Sequence, residues 1–77
     1  MAKLEAQDII EVLEFYNDTE RYILSVTVRN DPEPQKSEER IHITWSDEKG
    51  HRYTDTYAFS MSMGWHVVGS VFLAHIG

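Results

Sequence analysis

Seventy-seven residues with thirteen acids, seven bases and no cysteine read as one small domain, without disulfide staples or a thiolate metal site. A net charge of −6 speaks against direct binding to nucleic acid or an anionic membrane, because that affinity comes from Lys and Arg neutralising phosphates. No run approaches the roughly 20 apolar residues that span a bilayer, and acids interrupt the apolar residues of the N-terminus. The expectation is a cytoplasmic protein without a signal peptide, and the lack of cysteine fits a reducing compartment.

The first predicted element is a short helix over the sequence DIIEVLEFYN. Asp8 with Glu11 three residues on has the form of a capping box. Ala6, Ile9, Ile10, Leu13 and Tyr16 fall on one side at helical spacing, with Glu11 and Glu14 on the other. Glu5 and Asp8 complement the positive end of the helix dipole. A β-hairpin turning at Asn17 to Glu20 is the alternative, since that sequence is good turn material; the helix is preferred.

Arg21 to Arg29 is β-branched and aromatic with period-two alternation, which predicts a strand. Unbroken alternation puts Tyr22, Leu24, Val26 and Val28 on one face and Arg21, Ile23, Ser25, Thr27 and Arg29 on the other. Two prolines and a polar cluster make Asn30 to Ser37 a loop.

The most strongly specified stretch is Glu39 to Phe59. Asp47-Glu48-Lys49-Gly50 suits a type I turn closed by glycine in the left-handed conformation. That turn pairs Trp45 with Tyr53, Ile43 with Asp55, His42 with Thr56 and Ile41 with Tyr57. Ile41, Ile43, Trp45, Tyr53, Tyr57 and Phe59 then share an apolar face. Arg40, His42, Thr44, Ser46, Arg52, Thr54, Thr56 and Ala58 share the wet one. Two such faces mark an antiparallel sheet with one side buried. On this pattern all four arginines lie on the wet face, as a basic stripe on an acidic molecule.

Ser60 to Gly77 is apolar on both sides, so periodicity does not separate strand from helix. Val67, Val68 and Val71 favour a strand, and Gly69 weakens a helix with Trp65, Val68, Phe72 and Ile76 on one side. As a strand it places Trp65, Val67, Val71 and Leu73 on one face. A sheet of this size cannot cover both faces of such a strand, so these four residues are the expected interface of a homodimer.

The candidate chemistry is thin. His42, His51, His66 and His75 show no i, i+4 or HExxH spacing, so no metal is expected. There is no GxSxG elbow and no glycine-rich phosphate loop with its lysine, and no cofactor is expected. Asp55 is the one polar residue on the apolar face. It is either a raised-pKa acid–base group or a carboxylate that is satisfied by a tyrosine hydroxyl or backbone N–H or lies near the sheet edge, and the second is preferred. The chain is therefore read as no enzyme.

Taken together, the sequence predicts an α+β fold in a single domain, residues 1–77: an N-terminal helix packed on an antiparallel sheet of three or four strands. The expected function is protein binding. The chain would be a small acidic inhibitor or adaptor, of the kind phages and mobile elements encode, that masks a basic surface of a nucleic-acid-handling protein. Glu11, Glu14, Asp18, Glu20, Asp31, Glu33, Glu38 and Glu39 are the candidate contacts, spaced acids standing in for phosphates. The alternative is a self-assembling structural subunit that dimerises through its C-terminal segment.

Overall fold

A computed structural model describes residues 4–30 and 39–75. Helix α1 (Ala6–Leu13) runs into a 3-10 turn (Glu14–Tyr16). Four strands follow: β1 (Arg21–Asn30), β2 (Glu39–Asp47), β3 (His51–Ser60) and β4 (Gly64–His75). All neighbours are antiparallel, and the strands lie side by side in chain order, β1-β2-β3-β4. The fold is α+β. No described helix is long and apolar enough to cross a membrane.

The helix begins one turn earlier than its sequence suggests. Glu5 is the N-cap, and Asp8 is the third helical residue, its Oδ2 accepting the Glu5 N–H at 2.9 Å. The capping box is thus Glu5 with Asp8, in place of Asp8 with Glu11. Val12, absent from the predicted inward side, is fully buried in the last turn of the helix, whereas Ile10 is half-exposed. Ile9, Val12, Leu13 and Tyr16 form the i, i+3, i+4, i+7 stripe that meets the sheet. The helix ends at a turn in which Thr19 Oγ1 donates to Tyr16 O at 2.6 Å and Asp18 takes φ 59°, a left-handed conformation that Asp tolerates better than most residues.

The central hairpin has the register its turn chemistry predicts: Ile41 opposite Tyr57, His42 opposite Thr56, Ile43 opposite Asp55 and Trp45 opposite Tyr53. Asp47 organises the turn. Its Oδ1 accepts the N–H of Lys49 and of His51, each at 2.9 Å, its carbonyl accepts the Gly50 N–H at 3.2 Å, and Gly50 takes φ 90°. Val12, Tyr16, Ile41, Ile43, Tyr57 and Trp65 form the core. Leu4, Ile9, Leu13 and Trp45 pack against it.

Alternation fails in the two outer strands, where bulges intervene. Ile23 pairs with Trp45 but Ser25 pairs with Thr44, leaving Leu24 as an extra residue. Arg21 and Ile23 therefore share the helix side with Val26 and Val28, while Tyr22, Ser25, Thr27 and Arg29 face away. In β4 two residues are extra: Val68, between Val67 opposite Tyr57 and Gly69 opposite Thr56, and Leu73, between Phe72 opposite Tyr53 and Ala74 opposite Arg52. The predicted single face of Trp65, Val67, Val71 and Leu73 is therefore divided. Trp65, Val67, Ser70 and Phe72 lie on the helix side, Val71 lies on the far side, and Leu73 sits in a bulge.

Candidate functional site

The buried polar centre of the molecule is Asp55. It points from β3 into the core face and is 5% exposed. Three donors converge on it. Tyr16 Oη, at the helix end, donates to Oδ2 at 2.6 Å, and Trp45 Nε1, from β2, donates to the same oxygen at 2.7 Å. Ser70 Oγ, from β4, donates to Oδ1 at 2.7 Å. Tyr57 Oη in turn donates to Tyr16 Oη at 3.0 Å. Burial and then the hydrogen bond to Asp55 push the Tyr16 phenol far above its ordinary pKa. Burial also raises Tyr57, against the effect of its bond to Tyr16. Both hydroxyls are held as protonated donors. Asp55 is thus met by a tyrosine hydroxyl, together with an indole and a serine, and its position pins four elements to one carboxylate.

Arg21 closes one side of this cluster. Its guanidinium lies 4.8 Å from the Trp45 ring centroid and 5.7 Å from that of Tyr16, within cation–π range. The predicted stripe of four arginines is corrected accordingly: the Leu24 bulge carries Arg21 to the helix side, and the far face keeps Arg29, Arg40 and Arg52. There Arg29 and Arg40 are direct cross-strand partners. Next to them His42 Nδ1 is 3.0 Å from Thr56 Oγ1, and Thr44 and Thr54 share a 3.0 Å hydroxyl pair. Burial and the two arginine charges hold the His42 imidazole below its usual pKa.

Of the eight acids read as partner contacts, Glu11, Glu14, Asp18 and Glu20 are exposed on the helix and the turn after it. Glu39 has a structural task instead: half-buried, it accepts the Leu4 N–H on Oε1 at 3.1 Å. Asp31, Glu33 and Glu38 lie outside the described residues, as do most of the predicted loop and Ile76. One acid not singled out from the sequence joins the exposed set. Glu48, at the tip of the central hairpin, meets Glu20. The Glu20 charge and a hydrogen bond between the two carboxyls raise the Glu48 pKa.

Among the described residues no group of three or more His, Asp or Glu is gathered as a metal site would require. His51 is committed to the hairpin turn, with Nδ1 3.0 Å from Asp47 Oδ2. Trp65 is 8% exposed, packs edge-on against Phe59 at 5.6 Å, and its indole N–H finds no acceptor among the described residues. Along the rest of β4, Val67, Val68, Val71, Phe72 and Leu73 are each about half-exposed.

Trp45 and Ser70 are partners of Asp55 that the sequence pattern does not single out. Ser70 stands directly across from Asp55, but only a register carrying the Val68 bulge puts it there. Comparison with known proteins adds nothing to these observations: no family model, no curated protein and no solved structure matches the chain.

Proposed function

We propose that this chain is a non-enzymatic protein-binding module whose acidic helix side engages a basic surface on another protein. The observation that carries the reading is the exposure of four acids, Glu11, Glu14, Asp18 and Glu20, along the helix and the turn after it, with the Glu20 charge felt at Glu48 on the tip of the central hairpin. Such crowding is unfavourable in the free protein and is relieved by a partner's cations. The most reactive-looking group, Asp55, is occupied by three internal donors, which favours a structural role over an acid–base one.

A nucleic-acid-handling protein is the partner class this charge pattern suits, since its surface is built to neutralise closely spaced phosphates. The chain would then act as a cytoplasmic inhibitor or adaptor, a DNA mimic of the phage or mobile-element type. The test is affinity capture from nuclease-treated lysate at low and high salt, with the native chain and with Glu11→Lys/Glu14→Lys. One protein released by salt and lost by the double variant supports the proposal. Retention of that protein by the variant, or in concentrated salt, refutes it.

A further inference from the structure

We infer that the free edge of β4 is a docking site for the β4 of a second copy, paired antiparallel about a twofold axis at Ser70. The inference is independent of the acidic surface described above and stands or falls separately. β4 is the last strand of the sheet, and its outer edge has no neighbouring strand among the described residues. Its twelve residues span about 40 Å of edge at ~3.3 Å per residue. Soluble monomers guard such an edge with lysine, proline or inward charges. β4 carries no Asp, Glu, Lys, Arg or Pro, in a chain with thirteen acids and seven bases.

Three features select a second copy as the occupant. The first is charge. Because the strands follow chain order, Glu20 precedes β1 at the opposite edge of the sheet. Two molecules of net charge −6 therefore meet at β4 with that end of each pointing away. The second is apolarity. Val67, Val68, Val71, Phe72 and Leu73 are each about half-exposed and leave the edge strand apolar on both faces, so a copy paired along the edge continues each apolar face instead of meeting charge.

The third is self-complementarity. A twofold axis normal to the sheet keeps each face of one copy continuous with the same face of the other, so an isologous strand pair must match helix side to helix side. Centred on Ser70, the register sets Gly69 against Val71, Val68 against Phe72, Val67 against Leu73, His66 against Ala74 and Trp65 against His75. At the centre Gly69 and Val71, both on the far side, meet each other, and Ser70 meets its own copy on the helix side. The bulged residues Val68 and Leu73 meet apolar neighbours, on either side of small residues at the centre. The product is one eight-stranded sheet.

The native chain has no cysteine, so introduced thiols report contacts without interference. A Cβ at Gly69 meets no atom within 4 Å, and Val71 is half-exposed, so Gly69→Cys and Val71→Cys leave the protomer intact. Sedimentation equilibrium at tens of micromolar should give twice the 9.0 kDa chain mass. Mixing the two variants under mild oxidation should give the heterodisulfide in preference to either homodisulfide, since directly opposed residues alone come within the ~4.4–6.8 Å Cα separation a disulfide needs. A 9.0 kDa species at all concentrations overturns the inference. So does cross-linking of Val71→Cys to Tyr22→Cys, on the β1 edge, in preference to Gly69→Cys, because that marks a head-to-tail chain of sheets.

Discussion

Replacing Asp55 tests whether one buried carboxylate holds helix and sheet together. Asp55→Ala removes the acceptor from Tyr16, Trp45 and Ser70 at once. Ser70 is exposed and turns to water. Tyr16 is buried and Trp45 half-buried, and each stranded donor costs about 1–3 kcal/mol. With the charge-assisted bonds themselves lost, the expected destabilisation is about 3–6 kcal/mol. A domain of this length has only ~4–12 kcal/mol in total, so the variant should be near its unfolding threshold in buffer. Asp55→Asn keeps an oxygen for Tyr16 and Trp45 and offers its amide to Ser70 Oγ, which reverses its role; about 1–2 kcal/mol is expected. Ser70→Ala should cost less than ~1 kcal/mol. Urea unfolding followed by tryptophan fluorescence measures all three on one scale, the midpoint moving by roughly 1 M for each kcal/mol at this size. The order Ala, Asn, then Ser70→Ala is the signature. An Asp55→Ala protein as stable as the native one, or a Ser70→Ala protein weaker than Asp55→Asn, would refute the assignment.

Two further outcomes follow from the charges. Because the folded state holds the His42 pKa below its ordinary value, the unfolded chain takes up that proton at higher pH. Stability therefore falls as the pH is lowered through and below about 6.5; His42→Gln should flatten this part of the stability–pH curve, and an unchanged slope in urea midpoints would count against it. The Glu48 pKa is raised by Glu20, so Glu48→Gln should raise the urea midpoint at neutral pH and low salt. The gain should shrink as added salt screens the pair, and a gain indifferent to salt would show that repulsion is not its source.

The parts of the fold legible in the sequence are those where local chemistry sets the geometry. Asp47 and Gly50 determine the central turn, and through it every pairing from Ile41 opposite Tyr57 to Trp45 opposite Tyr53. Bulges carry no comparable local mark. Leu24, Val68 and Leu73 are ordinary strand residues, and which residue is left unpaired is decided by what its neighbours bury. Hence unbroken alternation puts Arg21 and several β4 side chains on the wrong faces, although the strands themselves are legible. The helix start was misplaced because Glu5 is an uncommon N-cap and Asp8 a favoured one. Val12 was missed because adjacent Ile9 and Ile10 compete for the same stripe. Asp55 is visible as the lone acid on an apolar face, and the hairpin register already sets Trp45 diagonally beside it; Ser70 depends on the Val68 bulge and Tyr16 on how the helix docks.

The side-by-side strand order bears on how the chain reaches this state. Each strand pairs only with its sequence neighbours, so the meander can zip from the tight turn at Asp47 to Gly50 outward, closing short loops at little entropic expense. The exceptions are the links made by the N-terminal segment: Leu4 to Glu39, 35 residues apart, and Tyr16 to Asp55 and Tyr57, 39 and 41 apart. The Tyr16 links can form only after β2 and β3 have presented Asp55 and Tyr57 on one face. The N-terminal segment is therefore the last piece to dock on a preformed sheet, and by the same logic the first to leave it. Its amides should exchange with solvent through an opening that leaves the β2–β3 ladder protected.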